Sequence, residues 1–228
     1  MSFWGQLNLM DPASPIQAEM LLFHDHAMVL LIGIFTFVAL LGLVLVFNKH
    51  SSRTMHEAQQ LETIWTIFPA FLLIWLALPS LRLLYLLDEQ SGSGIVLKCT
   101  GHQWYWSYEV PAAGVDSFDS YMVQEPDLAY GEYRLLEVDN RASLPYGLST
   151  TAIATSADVL HAWTLPSMGI KMDAVPGRLN SMGMFLQSPG VYYGQCSEIC
   201  GANHSFMPIV VESVDIADFL AYFGGRVY

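Results

Sequence analysis

Residues 27–47 read AMVLLIGIFTFVALLGLVLVF, an apolar run without a single charge. About 20 such residues in a helix cross the hydrocarbon core of a bilayer, so this stretch predicts a spanning helix. A second run opens at Ile64 with IWTIFPAFLLIWLALPSL, reaches Leu81, passes Arg82 and continues as LLYLL to Asp88. Pro69 and Pro79 predict kinks in it, tolerable where a neighbouring helix or Ser and Thr side chains satisfy the freed backbone groups. Two spans predict a helical hairpin over 27–87 with a loop at about 48–63, preceded by a segment 1–26 and followed by a separate domain over 88–228.

The segment between the spans carries Lys49 and Arg53, whereas the segment before the first span carries Asp11, Glu19 and Asp25 and no Lys or Arg. The positive-inside rule therefore places the loop on the inner side and both termini outside. His24 and His26, flanking Asp25, read as interfacial polar residues ahead of the span. Hydrophobic residues make up 53% of the chain and charged residues 13%, too apolar for an ordinary soluble domain. The acidity is uneven: residues 1–87 carry five acids against three bases, and residues 88–228 sixteen against six. Such a field excludes nucleic acid as a partner and favours a basic protein.

After Gln90-Ser-Gly-Ser-Gly, a linker signal, the chain changes to short β-rich runs split by Gly, Pro and Asn. The runs IVLKCTGHQWYWSYEV, EYRLLEVD, STTAIATS, VLHAWTLP, GIKMDAV, GMFLQ, VYYGQ and PIVVES predict an all-β sandwich or barrel. DIADFLAYFGG predicts a short closing helix, with Asp215 as its N-cap and Gly224-Gly225 as its stop.

Within that domain, residues 194–208 read GQCSEICGANHSFMP, and Cys196, Cys200, His204 and Met207 follow the pattern C-x3-C-x3-H-x2-M. Thiolate, thioether and imidazole are soft or borderline donors that favour copper over hard cations. Two thiolates four residues apart can each bridge two metals, and a dinuclear centre then needs a second imidazole. His161, in DVLHAWTLPSMG, is the candidate. A structural zinc site uses similar donors, but its spacing requires a second histidine after His204, and none follows. A redox dithiol uses Cys-x-x-Cys, one residue shorter. The lone Cys99, in an alternating stretch, reads as a small core residue.

Together with GHQWYWSYE, FDSYM, LLEVDNR, DVLHAW, DAVPGRLN, ETIWTIFPA and LPSLRLLY, the motif resembles subunit II of mitochondrial cytochrome c oxidase. The likeness runs from about Phe23 to Glu212. It implies a two-helix anchor and a cupredoxin-like Greek-key β domain holding the dicopper centre called CuA. Cys196 and Cys200 would bridge both coppers, His161 and Met207 would complete one, and His204 with the Glu198 backbone carbonyl the other. The Glu198 carboxylate would bind magnesium shared with subunit I.

The resemblance further implies an inner-membrane protein that accepts electrons from cytochrome c and passes them to haem and copper in subunit I, where dioxygen is reduced and protons are pumped. Trp104 would be the point at which electrons arrive. Its neighbours otherwise predict strand core, with Trp106 on the same face and Tyr105 opposite. Glu109, Asp119, Asp139 and Asp158 would form the docking acids. VPAAGVDSF, with Asp116 alone between Glu109 and Asp119, has fewer carboxylates than related sequences. Glu62 would lie at the mouth of a proton pathway; otherwise it is a first-turn acid favoured by the helix dipole. The competing class is a membrane-anchored copper-delivery protein. Those with a C-x3-C pair bind one copper and place their histidine after the pair, whereas His161 precedes it here.

Overall fold

The computed structural model describes residues 4–54, 56–89, 94–111 and 114–224. It divides into two units, residues 19–86 and residues 1–18 with 87–228.

The smaller unit is the apolar hairpin. Helix α1 (Pro15–Phe47) and helix α2 (Gln59–Asp88) are both long and apolar enough to cross a membrane. Their apolar side chains are exposed all round, as expected for helices whose solvent is lipid. The T-shaped contact of His26 with Trp75, centroids 4.4 Å apart, and the Glu19–Arg82 pair at 3.7 Å join the two helices. Helix α2 continues through Pro69 and Pro79. One boundary differs from expectation: α1 starts at Pro15 rather than near 27, so His24 and His26 sit inside it. The Ser14 hydroxyl accepts the Gln17 N–H at 3.0 Å, an N-cap ahead of a proline at the first helical position. That signal lies upstream of the apolar run and escapes a reading by hydropathy.

The larger unit is a β-sandwich. Its strands are β1 (Ile95–His102), β2 (Tyr105–Val110), β3 (Val115–Ser120), β4 (Ala142–Pro145), β5 (Ser149–Ser156), β6 (His161–Leu165), β7 (Ile170–Ala174), β8 (Asn180–Phe185), β9 (Gly190–Gln195) and β10 (Pro208–Val214). One sheet runs β3-β2-β1-β5-β8, a second β4-β10-β9, and β6 pairs with β7. Alternation buries Leu97 and Cys99 on β1, Trp106, Tyr108 and Val110 on β2, and Ala152 and Ala154 on β5, and Trp163 of β6 joins the same core. Cys99 is fully buried, a core residue as its pattern indicates. Helix α3 (Ile216–Gly224) closes the unit, and Asp215 caps it by accepting the Ala217 N–H at 2.9 Å. Its expected stop at Gly225 and the linker residues 90–93 lie outside the described residues.

Three expectations fail here. The long run from Ile95 splits at Gln103-Trp104 into a hairpin, so Trp104 stands in the turn and not on a strand face with Trp106. EYRLLEVD forms turns, with one bridge from Val138 to Met122. Its Glu137 is buried and receives hydrogen bonds from Tyr193 Oη at 2.9 Å and Arg141 at 3.2 Å, which hold the loop where a ladder would otherwise do so. Strands β3 and β4 were not foreseen, because their residues are too polar or too few to stand out.

The N-terminal segment belongs to this unit. Ala13 donates to Ser167 O and accepts from Gln187 N–H, and the Ser14 hydroxyl donates to Met168 O at 2.7 Å.

Candidate metal centre

The β9–β10 connection carries the C-x3-C-x3-H-x2-M stretch, and its ends are pinned by the Gln195–Pro208 ladder pair. Cys196 follows β9 directly and Met207 precedes β10, so sheet geometry brings residues eleven apart to one place. His161 opens β6 beside it, where Ser197 N–H bonds to Ala162 O at 3.1 Å. Close approach of β6 and β9 requires Gly194, since a Cβ there would meet the Thr164 carbonyl.

All the expected donors converge. Cys196 Sγ lies 4.0 Å from Cys200 Sγ and 3.8 Å from His161 Nδ1. Cys200 Sγ lies 3.4 Å from His204 Nδ1 and 3.5 Å from Met207 Sδ. The Glu198 carbonyl accepts from Cys196 Sγ at 3.4 Å. His161, Cys196, Cys200 and Met207 are buried, and His204 is partly so. In comparable sites sulfur binds metal at about 2.3 Å, so thiols at this separation lie within reach of a single ion. Two thiolates, two imidazoles and a thioether fit copper, and the thioether disfavours zinc.

Electrostatics prepare one sulfur. Burial pushes the Cys196 thiol up, but its contacts with His161 and with the backbone at Ala162 and Glu198 outweigh it and bring it down to about 7. Burial and the neighbouring Cys196 push Cys200 up to about 12. Burial disfavours charge on His161, yet its bonds to Cys196 and Asp158 raise its basicity overall.

The remaining predicted residues sit apart in role. Trp104 is half-buried, and its ring edge lies against Gly201, next to Cys200; a Cβ on Gly201 would come within 3.0 Å of Trp104 Cζ2. Glu109 pairs with Lys98 at 3.0 Å, Asp119 accepts from Ser107 Oγ at 2.7 Å, and Asp139 accepts the Tyr121 and Asn140 N–H groups. Asp158 does something different: it contacts His161. Glu62 is exposed in the first turn of α2, in the other unit.

Sequence reading missed Gly101 and Gln103. A Cβ on Gly101 would stand 2.8 Å from His161 Cδ2, so the imidazole rests on bare backbone. A glycine inside a strand signals such an approach. The Gln103 amide donates to Cys200 O at 2.7 Å, and no pattern announces it.

Comparison with known proteins supplies the setting. A family model described as cytochrome c oxidase subunit II, periplasmic domain, matches residues 95–214, and its transmembrane-domain counterpart matches residues 2–83. A relative named cytochrome c oxidase subunit 2 from Albinaria turrita is 74% identical over 220 residues, covering 96% of this chain and 98% of its own. One of the same name from Periplaneta americana is 51% identical, covering 96% of each. The crystal structure of the periplasmic domain of subunit II of cytochrome oxidase from Bradyrhizobium japonicum is 40% identical, with a TM-score of 0.55, covering 60% of this chain and 96% of that one.

Proposed function

This chain belongs to the cytochrome c oxidase subunit II family, and from that premise we propose that it accepts electrons from cytochrome c and passes them to subunit I. Membership makes it a two-helix membrane subunit of an oxidoreductase complex of the mitochondrial inner membrane, with a site fitting CuA. The observation that carries the proposal is the chain of close contacts that links six donors, His161, Cys196, Cys200, His204, Met207 and the Glu198 carbonyl, around the buried Cys196–Cys200 pair.

Copper held there supplies one-electron transfer. The protein's part is to encircle it. Reduction of dioxygen to water with proton pumping would belong to subunit I, and this chain's residues would only hold the copper that relays electrons to it. Cys196, Cys200, His161, Met207, His204 and the Glu198 carbonyl would hold that copper. Burial of His161, Cys196, Cys200 and Met207 keeps water from most of the donor set and would limit the rearrangement that accompanies a change of charge. Trp104, whose ring lies against Gly201 beside Cys200, would bring electrons from a docked protein to the donor loop.

Four further roles belong to this reading. The Glu198 carboxylate would hold magnesium with subunit I. Glu109, Asp119, Asp139 and Asp158 would face basic cytochrome c, all four already engaged in the local bonds described above. Glu62 would open a proton pathway. The Lys49/Arg53 segment would lie inside and both termini, with the domain over 88–228, in the intermembrane space. A copper-delivery role is not favoured, because family matches cover both the helical and β regions.

Metal analysis with electron paramagnetic resonance on the copper-loaded full chain tests the core of this. Two coppers per chain, sharing one unpaired electron equally, is the expected result. One copper with single-nucleus splitting would sink the dinuclear reading.

A further inference from the structure

We propose that Asp158 is a positioning residue for His161 and locks the copper ligands to the turn that carries Trp104, an inference that rests on His161 holding copper. The carboxylate is fully engaged. Its Oδ1 lies 2.8 Å from His161 Nε2, and its Oδ2 accepts the Gln103 N–H at 2.7 Å. The Gln103 side chain then donates to Cys200 O at 2.7 Å. The chain of contacts closes through Cys200 Sγ, Cys196 Sγ and His161 Nδ1.

The chemistry follows from what a carboxylate does. It only accepts, so His161 Nε2 carries the proton and Nδ1, facing Cys196, keeps its lone pair for a metal. An anion on the far nitrogen also makes the ligating nitrogen a stronger donor. The Asp158 turn is itself held: Val159 N–H donates to Oδ1 at 2.6 Å, and the Ser156 hydroxyl accepts the Asp158 N–H at 3.2 Å. Gly101 behind the ring and the edge of Trp106, centroids 5.9 Å away, fix the orientation of the ring about that bond. The Asp158 side chain is about one-third exposed, against none of His161. It therefore reaches from the surface to a ligand that the solvent does not touch.

The test uses the assembled oxidase with Asp158→Asn, Asp158→Glu and, as a charge control, Glu109→Gln. Positioning predicts that both Asp158 variants lose copper to a chelator faster, by about 10–100-fold, with an altered copper resonance spectrum. Asp158→Asn should also raise the reduction potential, because the oxidised centre loses a nearby anion. Glu109→Gln should retain copper as the parent does. Asp158→Glu keeps the charge and misplaces it, so it also speaks if Asp158→Asn fails to assemble. Parent-like copper retention and spectrum in both Asp158 variants, with only a raised KM for cytochrome c, would overturn the inference and leave Asp158 a docking charge. His161→Ala tests the premise separately: an unchanged copper spectrum in that variant would remove the premise and the inference together.

Discussion

At the scale of single residues, the donor set works because its neighbours are small or already satisfied. Gly101 is the sharpest case, since the His161 ring occupies the place a methyl would need. Gly101→Ala should cost about 1–3 kcal/mol as an overpacking change and tilt the imidazole away from Asp158 and Cys196. Thermal melting of the copper-free chain and copper retention of the loaded chain should both fall; retention equal to the parent would show that the ring has room. The two thiols of the motif should also titrate apart. In copper-free protein one thiolate should appear as pH rises through about 7, assigned to Cys196, while Cys200 stays protonated until near 12. Ultraviolet thiolate absorbance in Cys196→Ser and Cys200→Ser reads this, and a neutral-pH step surviving in Cys196→Ser would reverse the assignment. The depressed Cys196 stabilises the copper-free fold above its unfolded pKa near 9, and this is lost as pH falls through about 7. Cys200 acts oppositely, withdrawing stability as pH rises from about 9 toward about 12.

Among the elements, the segment from Tyr121 to Arg141 shows how side chains hold what hydrogen-bonded ladders do not. Glu137 is 3% exposed and takes bonds from Tyr193, Arg141 and the Tyr133 N–H, a buried charge with its partners in place. Burial and the Glu137 carboxylate push the Tyr193 hydroxyl up to about 12, so it remains a donor at physiological pH. Removing one member of such a group typically costs 3–5 kcal/mol. Arg141 is one-third exposed and also faces Glu212 at 3.9 Å, so Glu137→Ala should fall near the low end, about 3 kcal/mol. Denaturant unfolding of the full chain would measure it. A loss under about 1 kcal/mol would place the loop's stability elsewhere.

For the whole molecule, charge and solvent divide the chain. The hairpin presents apolar surface all round and finds its solvent in lipid, whereas the β unit carries most of the excess acid. If cytochrome c meets that acidic surface, its association should slow steeply with salt, because a Debye length of about 10 Å at 0.1 M screens the attraction. Stopped-flow reduction of the oxidase by cytochrome c should show the rate falling across that range while the later internal step stays constant. A salt-independent association rate would mean an apolar docking mode.

Hydropathy alone was sufficient for the hairpin, because nothing but lipid suits helices that are apolar on every face. The spacing C-x3-C-x3-H-x2-M was sufficient for the metal class, because donor softness is a property of residue types. His161 was legible as a candidate, but its meeting with Cys196 required the abutting of β6 and β9, a contact across 35 positions that no local pattern encodes. Trp104 was misread as a strand residue because its aromatic neighbours suggest one unbroken strand, and only the pairing of β1 with β2 shows the turn. The start of α1 and the bonds of its leading segment escaped notice for a related reason: capping and docking depend on single hydrogen bonds, which leave almost no compositional trace. The shared partners of Asp158 were likewise decided by tertiary structure alone, since a carboxylate's role is set by which donors the fold brings to it.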